Sequence, residues 1–106
     1  MYKLRFTEDT DETLNRLETG PKADPVKLKK VRKALARLEA NPRYPGLNSH
    51  QYEAFPGYTA EKVWDSYVEN HSPSAWRIYW MYGPDEKTDQ GEPLSVVTVL
   101  VIGPHL

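Results

Sequence analysis

The chain contains no cysteine. Disulfides and thiolate metal sites are therefore excluded, and the composition suits a reducing cytoplasm, the expected compartment. No apolar run is long enough to cross a bilayer. The opening residues alternate Leu4 and Phe6 with charges instead of forming a basic-then-apolar leader. There is no internal repeat and no low-complexity tract. A Gly-rich phosphate loop and a nucleophile elbow are both missing, which removes the chemistries that depend on them. His50, His71 and His105 are scattered without close ligand spacing, so neither a metal nor a cofactor is expected. Excess positive charge is lacking too. Fourteen Lys and Arg stand against fifteen Asp and Glu, for a formal net charge of -1, which argues against a protein that binds polyanions over its whole surface.

What is present fits one domain spanning residues 1–106, with one core. The charge is unevenly spread. Half of the Lys and Arg fall between Lys22 and Arg37, where Asp24 is the only acid. Glu8 to Glu18 and Asp85 to Glu92 are mostly acidic. A local basic surface is what phosphate neutralisation requires. The same pattern also describes the solvated side of a helix.

Met1 to Thr7 alternates Tyr2, Leu4 and Phe6 against Lys3, Arg5 and Thr7, which predicts a strand with one buried face. A short helix follows, with Leu14 and Leu17 inward, Asp9 and Glu12 as a capping box, and Gly20-Pro21 as its stop. Asp24 and Pro25 open a second helix as N-cap and first helical residue. Leu28, Val31, Leu35 and Leu38 form its apolar stripe, and Asn41-Pro42 ends it. The short link makes the two helices a hairpin. Asn41 to Gly57 is mostly turn and loop, with a short extended piece between His50 and Phe55. Glu61 to Val68 reads as a strand, Glu69 to Ser74 as a turn, Ala75 to Tyr82 as a strand and Gly83 to Pro93 as a loop. Leu94 to Ile102 is β-branched and apolar on both faces, as in a central strand. The predicted class is α+β: a curved, mostly antiparallel four-stranded sheet with an N-terminal helix hairpin on one face, in the order β-α-α-β-β-β.

The strand Ala75 to Tyr82 organises the rest. One face carries Trp76, Ile78, Trp80 and Tyr82; the other carries Ala75, Arg77, Tyr79 and Met81. An arginine held mid-strand in apolar company is either a structural ion pair or an anion-binding group. Pairing of the last two strands places His105 toward the start of the Arg77 strand. A histidine titrates near neutrality and exchanges protons, and an arginine stabilises charge on a phosphate in transition. The competing interpretation of His105 is a frayed, solvated end. A polar and aromatic set, His50, Glu53, Lys62, Tyr67, His71, Tyr79 and Tyr82, offers stacking faces and cations for RNA, although Tyr is equally at home on buried sheet faces.

The sequence Lys3-Leu4-Arg5-Phe6-Thr7, the helices ending Leu38-x-x-Asn41-Pro42, Lys62-Val63-Trp64, Ala75-Trp76-Arg77-Ile78-Tyr79-Trp80 and the closing Ile102-Gly103-Pro104-His105 together resemble the RelE/ParE toxin superfamily. The RelE-like branch, toxins of bacterial type II toxin–antitoxin pairs, is the nearer. The resemblance covers nearly the whole chain. It implies a metal-independent endoribonuclease that cuts messenger RNA on the ribosome, inhibits translation and is held in check by an antitoxin protein. It makes Arg77 the catalytic strand arginine and His105 the histidine after the last strand. The family's charged group before the second strand has no clean counterpart; His50, Glu53 and Lys62 are nearest, with Glu53 and Lys62 as helpers in proton transfer. Lys29, Lys30 and Lys33 on the basic helix, with His50, Tyr67 and Tyr79, are the expected RNA contacts. Two other outcomes stay open: a non-catalytic protein-binding module on the same scaffold, and a ParE-like gyrase inhibitor.

Overall fold

The computed structural model describes residues 1–58, 60–70 and 74–106. Strand β1 (Lys3–Phe6) runs directly into helix α1 (Glu8–Glu18), and α2 (Pro25–Ala40) folds back beside it. A 3-10 turn at Pro45–Leu47 leads to β2 (His50–Tyr52), β3 (Val63–Tyr67) and β4 (Trp76–Tyr82). A ribbon of β5 (Glu86–Lys87) and β6 (Pro93–Leu94) precedes the long last strand β7 (Val96–Pro104).

The class is α+β as expected, but the sheet has five strands, in the order β1-β7-β4-β3-β2. The added strand is the extended piece at His50, which pairs antiparallel with β3 so that His50 faces Asp65. The pairing of β1 with β7 is parallel; the other pairs are antiparallel. The two-helix excursion lets the first strand lie beside the last. The segment Gly83 to Pro93, expected as loop, contains β5 and the first residue of β6, and Arg5 ties that ribbon to β1 through an ion pair with Glu86. Of the expected turn Glu69 to Ser74, residues 71–73 lie outside the described residues, and with them His71.

Local sequence accounts for the helices. Asp24 accepts the Lys27 amide at 3.0 Å and Pro25 occupies the first turn of α2, as its capping preference dictates. The start of α1 differs from expectation. Thr7, not Asp9, is its N-cap and accepts the Thr10 amide at 3.2 Å, because the helix begins where β1 stops. Glu8, Asp9 and Asp11 then sit in the first turn, where negative charge suits the helix dipole.

The sheet separates two cores. On the helix side Leu17, Leu28, Val31, Leu35 and Leu38 pack with Ile78, Trp80, Val97, Val99 and Ile102. Phe6, expected to be buried with Tyr2 and Leu4, is exposed, while those two are half-buried. On the far side Phe55, Val63, Tyr79 and Leu100 form a smaller cluster. Ala54 adopts a left-handed conformation, φ 60°, that turns Phe55 back toward the Tyr79 ring, 5.5 Å between centroids. A bulge places Leu100 as the extra residue between the pairs Trp80–Val99 and Tyr79–Val101. Threonines at the start of α1 donate beside the bulge: Thr7 Oγ1 to Leu100 O at 2.7 Å and Thr10 Oγ1 to Val99 O at 3.1 Å, where the Thr7 amide also donates to Val99 O at 3.2 Å.

Candidate active site

Four neighbouring segments place polar side chains on the sheet face away from the helices. Register does most of this work. His50 pairs with Asp65, Asp65 with Tyr79, Tyr67 with Arg77, and Arg77 with Gly103. Paired residues share a face, and a diagonal neighbour is within reach of a long side chain. Arg77 therefore crosses to Asp65, where its Nη1 donates to Oδ1 at 3.2 Å. Its guanidinium carbon lies 3.8 Å from the centre of the Tyr67 ring, a stacked cation–π contact.

Asp65 is the centre of the arrangement. Its side chain is fully buried, 0% exposed. Oδ1 takes Arg77, while Oδ2 has no hydrogen bond among the described residues but lies 3.4 Å from His50 Nε2 and 3.7 Å from His105 Nε2. Both imidazoles are about half open to solvent (side chains 50% and 41% exposed). One carboxylate oxygen is thus flanked by two imidazoles, and the other is paired with a guanidinium. The His50 ring is oriented further by Nδ1, 3.0 Å from the Asn48 carbonyl.

His105 is not frayed. Its backbone N–H donates to Ala75 O at 3.1 Å, and the next amide, of Leu106, donates to the Tyr79 hydroxyl at 2.8 Å. Tyr79 is itself fully buried. Burial is the main reason its hydroxyl titrates above its ordinary value, so it stays protonated near neutrality, and its ring presents no open face to a base. Tyr52 packs edge-on against both Tyr79 and His105, with ring centroids 5.2 and 6.4 Å apart. Gly103, opposite Arg77, is buried as a residue, yet a Cβ added there meets no atom within 4 Å. The guanidinium is therefore not capped from β7.

The expected site residues divide clearly. Arg77, His105, His50 and Tyr67 come together. Glu53 and Lys62 are exposed on the segment between β2 and β3, and neither has a salt-bridge partner or a hydrogen bond from its side chain among the described residues. Lys29 and Lys33 are exposed on α2, and Lys30 is paired with Glu69 at 3.3 Å. Asp65, which organises the site, was not among the expected residues. Its signal was present: aspartate is depleted in strands, and alternation from Val63 puts it on the same face as Tyr67. Among the described residues no group of three or more acidic or histidine side chains is arranged to hold a metal ion, and no helix is long and apolar enough to cross a membrane.

Compared with models of known families, with curated proteins and with solved structures, the chain gives no match.

Proposed function

We propose that the chain is a metal-independent endoribonuclease of the RelE-like toxin kind, with His50 and His105 as its proton-transfer pair. The observation that carries this is the placement of both imidazoles against one oxygen of a buried carboxylate whose other oxygen binds Arg77. Cleavage of RNA by its own 2′-hydroxyl needs three things at one phosphate: a base, an acid and a cation. A neutral imidazole takes the 2′-hydroxyl proton as the 2′-oxygen attacks phosphorus. The bond from phosphorus to the 5′-oxygen breaks, and the protonated imidazole gives its proton to that oxygen. The products are a 2′,3′-cyclic phosphate and a 5′-hydroxyl. Arg77 faces the charge growing on the non-bridging oxygens, and Tyr67 keeps its guanidinium flat. Asp65 is a positioning residue. It orients Arg77 and stands beside both imidazoles.

Two histidines take the roles first assigned to His105 with Glu53 or Lys62. Messenger RNA on the ribosome is the substrate this assignment implies, and an antitoxin covering the face is the implied partner. Induced expression of the wild type beside Arg77→Ala and Arg77→Lys tests it, with growth and messenger integrity followed together. Arrested growth with cut messengers is expected for the wild type only. Lysine keeps a charge near Asp65 but loses the planar fork. It therefore separates lost chemistry from the uncompensated buried carboxylate that alanine leaves. Intact messengers in the wild type would reject nuclease activity and favour a protein-binding module.

A further inference from the structure

A second site lies on the other side of the sheet's β2–β3 end. A cleft of about 470 Å³ opens between α2, the Pro45–Leu47 turn and the end of β3. Lys30, Lys33 and Arg37 line one wall; their spacing along α2 puts all three on one helix face. Leu47, Val68 and Asn70 also line the cleft. Glu69 also borders the cleft, but its carboxylate is already engaged by Lys27 at 2.9 Å, the Trp76 amide at 3.1 Å and Lys30 at 3.3 Å. Among the described residues neither Lys33 nor Arg37 has an acidic partner. Arg37 is held over the Tyr44 ring, 4.7 Å from its centre, which fixes the guanidinium without cancelling its charge.

We infer that this cleft binds a nucleoside phosphate. A solvated helix face encloses no volume, whereas this one shares a cleft with β3 and the Pro45–Leu47 turn, in the size range of small-ligand sites. The uncompensated cations match a phosphate, the apolar lining side chains match the face of a base, and the Asn70 amide offers a donor and an acceptor to its edge. Tyr67 borders the cleft and also carries Arg77, so a nucleotide held here is a near neighbour of the sheet-face site. The same chemistry is presented by a free nucleotide and by one residue of an RNA strand.

Calorimetric titration with AMP, inorganic phosphate and a 2′-O-methyl hexanucleotide tests the inference on the wild type and on the double variants Lys33→Glu/Arg37→Glu and Lys33→Gln/Arg37→Gln. None of these probes is cleavable by 2′-hydroxyl attack, so the result is independent of whether the sheet face cuts RNA. AMP is expected to bind more tightly than inorganic phosphate, and the double variants to lose on the order of tenfold or more in AMP affinity. A parallel loss for the hexanucleotide identifies a strand residue as the occupant; an unchanged hexanucleotide affinity identifies a free nucleotide. The glutamine pair, which adds no repulsion, guards against misfolding in the glutamate pair. AMP binding no tighter than phosphate, or unchanged in a folded double variant, overturns the inference and leaves the cleft as a protein-facing surface.

Discussion

The Tyr79 hydroxyl accepts the Leu106 amide at 2.8 Å and so fixes the residue before it, His105, beside Asp65. Tyr79→Phe removes this acceptor while keeping the ring that packs on Phe55 and Tyr52. A single hydrogen bond of this kind contributes about 1 kcal/mol to stability, so the melting temperature should fall only slightly. RNA cleavage should fall much more, because proton transfer depends on the placement of His105. Equal, small effects on both would show that the anchor does not serve the site.

Gly103→Leu separates the site from the fold. Its Cβ meets no atom within 4 Å, and the position pairs with Arg77. The variant should keep its fold, as circular dichroism would show, and lose cleavage by crowding the phosphate beside the guanidinium. A fully active Gly103→Leu protein would contradict the assignment of this face.

Asp65→Asn keeps the shape but removes the charge that both imidazoles and Arg77 face. The expected result is a lowered cleavage rate per folded molecule, since Arg77 and both imidazoles lose the charge that positions them. A purely structural role would reduce the amount of folded protein and leave the rate per folded molecule unchanged. Circular dichroism and rate measurements on the same sample distinguish the two.

On the helix side, Leu38 is fully buried. Leu38→Ala should cost about 2–5 kcal/mol in denaturant unfolding. A loss within the surface range would mean that α2 does not pack on Ile78 and Trp80.

Acid stability should depend on Glu69. The hydrogen bond from Lys27 is the main cause that lowers its pKa from 4.5 to about 2. A group whose folded value is depressed adds stability that is complete above the unfolded value and is lost as pH falls through the folded one. Melting temperature should therefore drop between pH 4.5 and about 2, and Glu69→Gln should flatten that part of the curve. An unchanged slope in Glu69→Gln would assign the acid loss to other carboxylates.

Periodicity made α2 legible, because its cap, its proline and its apolar stripe all agree. It made the two faces of β4 legible for the same reason: Trp76, Ile78 and Trp80 go to the helix core, while Tyr79 goes to the other cluster. The three-residue strand β2 carries too little alternation to announce itself, and it took the register against β3 to bring His50 to Asp65. The Leu100 bulge depends on pairing partners far along the chain, which local pattern does not reveal. Glu53 and Lys62 looked suitable by charge, yet the reversal through Ala54 and Phe55 keeps them outside the site. Asp65 had a local signal, but its meaning depended on three partners from three other segments.

His50 and His105 are proposed to transfer the protons of a 2′-hydroxyl cleavage. The direct measurement is end-group analysis and pH–rate profiling of purified wild-type, His50→Ala and His105→Ala proteins on messenger RNA bound to ribosomes. The wild type should yield 2′,3′-cyclic phosphate and 5′-hydroxyl ends. Each single variant should lose about 10²–10⁴ in rate and one limb of a bell-shaped profile. Products bearing 5′-phosphates, or variants that cut as fast as the wild type with both limbs intact, would contradict the account.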